Sequence, residues 1–326
     1  MNQNKSNNKW RTIGLLLVIV VIIILFIVLV DLSEVFAQLT DANPFYIGAA
    51  SVAFIFGLVG FAARWRSLLS NKPTLPFTFH ASNLGHAGNI IIPFRAGEVI
   101  RIVVMGASES TSLTESTTSV VVERLFEQLM RLLTLGFAIL LGLGLSVSLS
   151  SAVGGIALLV LGFGAILWLV NHQETTLEKG SSLLSKIPRV TEETARHSLS
   201  DLLGNLKSVS QPRQFARILF WSILTWVLFW AFFYLTLDAL DNELSTGQQF
   251  AISLGALALS PPSAPTQPGI FHASIVLPLS ALGIDPEMLT AYSILLHVQE
   301  MVWVVAFGIW GLIATGVSLS SIRKKL

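Results

Sequence analysis

The sequence contains no cysteine among its 326 residues, and only 12% of its residues are charged. The absence of cysteine excludes disulfide bonds, thiol catalysis and cysteine-ligated metals. The charged share is about half of that expected of a soluble globular domain. Because 53% of the residues are hydrophobic, more than one soluble core can absorb, the composition predicts an integral membrane protein.

Several catalytic motifs are also missing. The sequence has no Gly-rich phosphate-binding loop ending in Lys-Ser or Lys-Thr, no His-Glu-x-x-His and no Gly-x-Ser-x-Gly. ATP-driven pumping by this chain alone is therefore not supported, and we expect neither an enzyme nor a cofactor or metal. The net charge of +1 predicts no nucleic-acid partner.

Six apolar segments reach the length of about 20 residues that crosses a bilayer as a helix. We predict full spans at 13–30, 45–63, 120–145, 152–170, 218–237 and 288–315. The first of them also resembles a secretory signal, with a cleavage-like site at 35–37. Since it is longer than the usual signal core, we interpret it as a retained anchor.

Lysine and arginine residues cluster in four segments, which carry 16 of the 20 in the chain. The positive-inside rule places all four in the cytoplasm: the tail 1–12, the loop after residue 63, the loop 171–217 and the C-terminus. The loops 31–44, 146–151, 238–247 and 284–287 contain no lysine or arginine, and together they carry eight acids. Both termini are thus predicted to face the cytoplasm, in the cell (inner) membrane.

Two further apolar stretches, 78–118 and 248–283, are interrupted by proline and glycine. The topology requires the first to begin and end in the cytoplasm and the second outside. We predict two oppositely oriented re-entrant helical hairpins, or pairs of short spans, within one all-α membrane domain over 1–326. Irregular backbone at membrane depth must be buried in protein or line water, and opposed broken segments are typical of transporters. Channels and scaffolds can share them.

The cytoplasmic loop 171–217 has leucines at helical spacing, among them Leu199, Leu202 and Leu206. This pattern predicts an amphipathic helix that either lies on lipid headgroups or packs on the bundle.

The first hairpin contains a charged motif around a predicted helix break. Pro93 lacks an N–H and Gly97 is flexible, so a helix that reaches residue 92 should restart near 97. Arg95, Glu98 and Arg101 then share an arc of about 120°. A cationic face beside a helix N-terminus favours a phosphate or other anion. Alternatively, Glu98 only neutralises an arginine and Arg101 reaches the cytoplasm.

The span that follows carries a stripe of four charged residues: Glu123, Arg124, Glu127 and Arg131. A charge in the hydrocarbon region costs a few kcal/mol or more, so the stripe must face protein or water. It is either a structural ion-pair ladder or part of a site. We predict that Glu123 pairs with an arginine of the first hairpin.

The second hairpin and the last span supply a third group of polar residues. Pro262 and Pro265 belong to four prolines in eight residues, which exclude a regular helix and predict the hairpin tip before Gly269 and His272. The last span has Thr290, Ser293, His297 and Glu300 on one face. The last two are predicted to hold a proton or bond a headgroup, or to form a neutral pair.

At these residues the chain resembles the transmembrane region of the lysylphosphatidylglycerol synthases. The resemblance rests on Asn89, Pro93, Arg95, Gly97, Glu98 and Arg101, then Glu123-Arg124-Leu125, and the proline-rich tip with Gly269. It covers about residues 10–316 and implies a flippase-like protein that moves a lipid with a modified or glycosylated headgroup between leaflets. Because the sequence ends at Leu326 without an aminoacyl-transferase domain, we expect the stand-alone form without synthase activity.

Two departures from the family pattern concern charge. The family usually has Pro-Gly-Gly-x-Gly followed by Glu at the second tip, whereas this chain has 265–269 and then His272. The family usually has an Arg in the last span, where this chain has His297. Both changes remove a charge and bear on the substrate rather than on the architecture.

The functional hypothesis is a lipid translocator whose partners are membrane lipids, either a phospholipid or a polyprenyl-linked glycan. The candidate substrate-binding residues are Asn89, Arg95, Glu98, Arg101, Glu123, Arg124, His272, His297 and Glu300. The arginines would engage a phosphate, Glu98 and Glu123 would orient them, and the last three would shape the outward half. Two alternatives remain: a membrane transferase with Glu98 or Glu123 as base, and a scaffold for a partner lipid-modifying enzyme. The oligomeric state is left open.

Overall fold

The computed structural model describes residues 37–91, 96–141, 168, 171–186, 191–209, 211–240, 242–260 and 269–315, and these form helices and no strands. The tail 1–12, the span 13–30 and most of 152–170 lie outside the described residues. So do Pro93, Arg95, Pro262 and Pro265.

A helical turn at 37–40 precedes the first long helix. The helices are α1 (Pro44–Leu68), α2 (Leu75–Ile91), α3 (Ala96–Gly106), α4 (Leu113–Leu140), α5 (Gln173–Leu184), α6 (Glu192–Val209), α7 (Pro212–Asp238), α8 (Thr246–Leu259), α9 (Ile270–Ser280) and α10 (Pro286–Thr315).

Polar caps fix where several helices begin. The Asn43 side chain accepts a hydrogen bond from the Phe45 amide, just before a proline at the first position of α1. Ser112 and Glu115 form a reciprocal capping box at the start of α4. Ser245 and Gln248 do the same for α8. The ends of the apolar segments are therefore set locally by the sequence.

Three of the described helices, α1, α7 and α10, are long and apolar enough to cross a membrane. They correspond to the predicted spans 45–63, 218–237 and 288–315. α4 has 28 residues but carries the charged stripe, and the described part of the predicted span 120–145 is helical to residue 140. The total of six spans and the re-entry of the two hairpins remain predictions.

Eight of the described helices, α1–α4 and α7–α10, form two halves. The lengths of the four helices follow the same pattern in each half. In the first half, α1 to α4 have 25, 17, 11 and 28 residues. In the second, α7 to α10 have 27, 14, 11 and 30. The contacts between the halves are reciprocal: α1 packs on α7, α2 on α10, and α8 on α4. This pattern is what two copies of one motif give when a two-fold axis relates them.

The first helices of the two halves run antiparallel. The Asn43 amide before α1 donates to the carbonyl of Ala239 after α7, at 2.7 Å. At the opposite end, the Gln214 amide group donates to the carbonyl of Ser67. An inverted pair of this kind is the arrangement of many transporters, whose substrate site lies between the repeats.

The α2–α3 pair packs backbone against backbone around Gly97. A Cβ at this position would lie 1.9 Å from the Gly85 carbonyl oxygen and 2.6 Å from the Asn89 side-chain oxygen. The Gly97 amide donates to that oxygen of Asn89 at 2.9 Å. α2 ends at Ile91 and α3 begins at Ala96, and the predicted break at Pro93 lies between them, outside the described residues.

The α5–α6 pair joins the bundle through α6. Leu203 and Leu206 are buried, and Leu206 packs in a hydrophobic cluster with Trp65 and Ile218. Of the two predicted modes for this segment, these contacts favour packing on the bundle over lying on lipid headgroups. Its cytoplasmic location stays a prediction.

Candidate functional site

The Glu123 carboxylate is completely buried between two guanidinium groups. Arg101 of α3 donates to both of its oxygens, at 3.1 and 3.2 Å. Arg64 of α1 donates to one of them at 3.3 Å. The bidentate hydrogen bond from Arg101 confirms the predicted pairing of Glu123 with an arginine of the first hairpin. We call these three residues the clamp.

The placement of Arg64 in a cytoplasmic loop was wrong. The residue lies inside α1 and is only 1% exposed. Its guanidinium carbon is 4.8 Å from the centre of the Phe61 ring, a cation–π contact. The apolar run stops at Ala63, but the helix continues because Glu123 of α4 compensates the charge. Extending the helical periodicity past the end of the run would have found it.

A second ion-pair layer lies beside the clamp. Arg124 donates to Glu98 of α3 and to Glu127 of its own helix, each at 2.5 Å. The side chains of Arg124 and Glu98 are 22% and 21% exposed, so this layer is less enclosed than the clamp. Arg131 lies 3.9 Å from Glu127 and extends the layer along α4.

Arg131 also connects the two halves. Its guanidinium donates to the carbonyl of Ala258 at 2.6 Å and to that of Ser260. These carbonyls belong to the C-terminal end of α8, where acceptors have no partner within the helix and the dipole favours a cation. α4 is thus tied to the end of the helix that precedes the proline-rich segment.

A cavity of about 130 Å³ opens beside these charges, between the two halves. Its polar lining consists of Arg64, His86, Arg124, Glu127, Arg131, Thr225, Ser260 and Glu300. Its apolar lining is mostly aromatic, with Phe54, Trp226 and Phe229 among its residues. The volume is below the roughly 300–1,000 Å³ of pockets for drug-sized ligands, so it suits a headgroup rather than a whole lipid.

Five of the polar residues that line the cavity have a buried polar atom without a hydrogen-bond partner among the described residues. These atoms are Arg64 Nε, His86 Nε2, Arg124 Nε, Thr225 Oγ1 and Glu300 Oε2. Buried polar groups in native proteins are nearly always satisfied, because leaving one unpaired is costly. Their convergence on one cavity indicates a polar ligand.

The second half contains a histidine pair in place of an ion pair. The rings of His272 and His297 lie 5.1 Å apart, centre to centre. His272 Nδ1 is 2.9 Å from Ser293 Oγ, and His297 Nε2 is 3.1 Å from the Met301 sulfur. His297 makes no hydrogen bond to Glu300 in the part of α10 that the structure describes, which contradicts the alternative of a mutually satisfied pair.

The predicted site residues that the structure describes fall into three places, and Arg95 lies outside the described residues. Arg124 and Glu300 line the cavity. Glu98, Arg101 and Glu123 support it from behind. Asn89 bonds the Gly97 amide, and the histidine pair lies apart from the cavity lining. The sequence prediction missed Arg64, His86 and Thr225 as cavity residues. His86 and Thr225 gave no signal, since single polar residues in apolar helices are common.

Comparison with known proteins adds a family and one relative. The family described as Lysylphosphatidylglycerol synthase TM region matches residues 12–308. Glycosyltransferase AglD of Haloferax volcanii is 24% identical over 327 residues, which cover 90% of this chain and 52% of the relative. The chain therefore spans about half the length of the curated relative it matches. No solved structure matches it.

Proposed function

Because the chain belongs to the family of the lysylphosphatidylglycerol synthase transmembrane region, we propose that it moves a lipid with an anionic, modified or glycosylated headgroup between leaflets. The observation that carries this proposal is the cavity between the halves, which is lined by both arginines and aromatic rings. An amphiphile matches both kinds of lining residue.

The polar lining has the chemistry of a phosphate site. It contains three arginines, Arg64, Arg124 and Arg131, together with Glu127 and Glu300. The unpartnered Nε atoms of Arg64 and Arg124 and the Thr225 hydroxyl supply hydrogen-bond donors. Phosphate oxygens only accept hydrogen bonds, and the planar guanidinium fork fits them well.

The clamp and its neighbouring acids hold the arginines of the polar lining in position for a ligand. Glu123 holds Arg64 by one terminal nitrogen, which leaves the Nε of Arg64 for the cavity. Glu98 and Glu127 hold Arg124 in the same manner. The guanidinium groups therefore need little reorganisation when a phosphate binds, which lowers the entropic cost of binding.

The apolar lining residues take the start of the lipid chain, and the inverted halves provide the movement. Repeats that rock against each other around a central site expose it to each side in turn. The bonds from Arg131 to the carbonyls of Ala258 and Ser260 close one boundary between the halves. They must break for the cavity to open past the end of α8.

The test uses purified full-length protein in phosphatidylcholine vesicles with a fluorescent anionic phospholipid as probe. Dithionite bleaches the probe in the outer leaflet, so complete bleaching reports movement from the inner leaflet. We expect movement with the wild type and at least a tenfold slower rate with Arg124→Ala, since a charged hydrogen bond is worth about 1.5–3 kcal/mol.

The matched control is Arg217→Ala, which removes an exposed arginine of α7 away from the cavity. It is expected to keep the wild-type rate. Equal rates for wild type, Arg124→Ala and protein-free vesicles would reject translocation through this cavity.

The name of the relative supports a second function, transfer of a sugar to or from a lipid in the membrane. Glu98 would then be the base rather than Glu123, because both oxygens of Glu123 are occupied by arginines. Conversion of the probe headgroup on addition of a sugar donor, detected by mass spectrometry, would support this function. Neither movement nor conversion would support a scaffold for a partner synthase or glycosyltransferase.

For either function the proposed location is the cytoplasmic (inner) membrane, with the connection at 69–74 and the α5–α6 pair in the cytoplasm.

A further inference from the structure

The two halves place an acid at the same position with different partners. Glu127 is the fifteenth residue of α4, and Glu300 is the fifteenth residue of α10. Glu127 has Arg124 at 2.5 Å and Arg131 at 3.9 Å. The same positions of α10 carry His297 and Val304. The second half therefore has an acid at this position, Glu300, but lacks the two arginines that accompany Glu127 in the first half.

Glu300 is buried in the cavity wall. It is 8% exposed, and its Oε2 has no hydrogen-bond partner among the described residues. It also has no ion-pair partner within 4.0 Å in that part of the chain. A neutral carboxylic acid is stable in such a place, whereas a carboxylate requires a cation or several donors.

Permanent cations nevertheless line the same cavity, namely Arg64, Arg124 and Arg131. In the described arrangement they are engaged by Glu123, by Glu98 and Glu127, and by the carbonyls of α8. These guanidinium groups are the ones that a phosphate would bind. A carboxylate at Glu300 and a lipid phosphate would thus compete for the same arginines.

We propose that Glu300 is the proton-binding site that couples lipid movement to a proton gradient. While its carboxyl group holds a proton, the arginines bind the headgroup phosphate. When the proton leaves to water, the carboxylate takes an arginine and the phosphate is released. This inference rests on the proposed lipid translocation and names its energy source.

Other ionisable side chains lie on the elements that pack against α10 or line the same cavity. The elements packed against α10 contribute His80 and His86 from α2, His272 from α9 and Arg64 from α1, and α10 itself contributes Tyr292 and His297. α4 contributes Arg124, Glu127 and Arg131 to the cavity lining. Among the described residues, α7 contributes no ionisable side chain to that lining. Of these groups Glu300 is the acid without a cation.

Coupling of one proton to one phosphate also lowers the barrier in the membrane. A charge in the hydrocarbon region is costly, and a singly charged headgroup that moves together with one proton carries no net charge. Proton and lipid then travel in the same direction. Since one pH unit corresponds to a tenfold ratio, the lipid should accumulate about tenfold in the leaflet that faces the alkaline side.

The test uses the full-length protein in phosphatidylcholine vesicles with fluorescent phosphatidylglycerol and a gradient of one pH unit. The wild type is expected to produce about a tenfold asymmetry of the probe between leaflets. Glu300→Gln, a neutral isostere, should equilibrate the probe without asymmetry. Glu287→Gln in the first turn of the same helix is the matched control and should behave as the wild type.

A second variant, His297→Arg, supplies the cation that α4 has three residues before Glu127. We expect it to hold Glu300 ionised, so its probe distribution should be symmetric as well. Infrared spectroscopy checks this without lipid movement: the folded wild type should show the carbonyl band of a protonated carboxylic acid at neutral pH. Both Glu300→Gln and His297→Arg should lose that band.

The outcomes separate the two ideas. A wild type that moves the probe but leaves it symmetric under the gradient overturns the proton coupling and leaves translocation standing. Absence of the carboxylic acid band in the folded wild type overturns the proton site by itself. A wild type that moves no probe with or without a gradient rejects the proposed function, and the coupling with it.

Discussion

The two halves of the protein place different chemistry at equivalent positions, counted from the start of each helix. Glu98 and His272 are each the third residue of a short helix, and Arg124 and His297 are each the twelfth of the following long helix. The first pair is an ion pair at 2.5 Å, and the second is a pair of rings 5.1 Å apart. The fold requires a contact at this position but no charge.

The clamp gives the same lesson deeper in the protein. The positions of Glu123 and Arg101 correspond to Leu296 and Ile275 in the second half, and both of these are completely buried. Apolar side chains thus hold one half where an ion pair holds the other. Since a buried ion pair is often no more stable than apolar residues, we infer that the first half keeps its charges for the ligand.

The largest expected effect is that of Glu123→Ala. The substitution leaves two guanidinium groups buried without their carboxylate, which should destabilise the protein by about 3–5 kcal/mol. Thermal unfolding in detergent, followed by circular dichroism, measures the loss. Glu109→Ala removes an exposed acid of the same region and should leave the midpoint unchanged.

A triple variant carries the comparison of the halves to its limit. Glu123→Leu, Arg101→Ile and Arg64→Phe give the first half the residues of the second at the clamp positions, since Arg64 and Phe232 are each the twenty-first residue of their helices. Such a replacement is often neutral or stabilising, so the midpoint should recover while lipid movement is lost. Recovery of both would show that the clamp serves only packing.

A smaller effect is expected at the contact between the halves. Arg131→Met removes the guanidinium group that donates to the carbonyls of Ala258 and Ser260. The loss should weaken this contact by about 1.5–3 kcal/mol. Hydrogen exchange should increase in the last turn of α8 and stay unchanged in the last turn of α7. Unchanged exchange in α8 would mean that Arg131 does not hold its end.

Recreating the ion pair in the second half should slow translocation. The double variant His272→Glu with His297→Arg copies Glu98 and Arg124, and its new arginine gives the lipid phosphate a second binding place. We expect exchange of the probe at equal pH to fall by about tenfold, which corresponds to 1.4 kcal/mol. His197→Glu with Arg196→His, on exposed positions of α6, is the control. An unchanged rate in both double variants would show that the difference between the histidine pair and the ion pair does not affect translocation.

The smallest effect concerns an exposed pair at the start of α4. Burial raises the pKa of Glu115, but hydrogen bonds from Lys72 and the Ser112 amide outweigh it and hold the pKa below its ordinary value of 4.5. Because the folded-state pKa is depressed, the pair stabilises the protein above pH 4.5, and this is lost as the pH falls through the folded-state value.

Lys72→Ala should therefore cost less than about 1 kcal/mol at neutral pH, given that the lysine is 48% exposed. The difference from wild type in the unfolding midpoint should shrink at acidic pH and at high salt. A cost as large as that of Glu123→Ala would contradict the distinction between exposed and clamped charges.

Much of the fold followed from the sequence because long uncharged runs have few alternatives in a membrane protein. α1, α7 and α10 were predicted for this reason, and the family was identified from spaced residues around Gly97 and Glu123. The pairing of Glu123 with an arginine of the first hairpin was predicted because a buried charge needs a partner, and the structure identifies that arginine as Arg101.

The rest depended on contacts between distant segments. Arg64 lies 59 residues before its partner, and its position just past an apolar run indicated a loop. The equivalence of the two halves is hidden in the sequence because the matched positions carry different residues, such as Arg124 and His297. The cavity is formed by side chains of several helices, so no single stretch predicts it. The number of spans and the re-entry of the hairpins remain predictions.

The most direct test of the headgroup path uses the absence of cysteine from the chain. Thr225→Cys introduces a single thiol into the cavity wall without any background. A membrane-impermeant maleimide should label this thiol from either side of the membrane, and added anionic phospholipid should slow the labelling from both sides. Labelling from one side only, or labelling that the anionic lipid does not change, would contradict a headgroup path between the two halves.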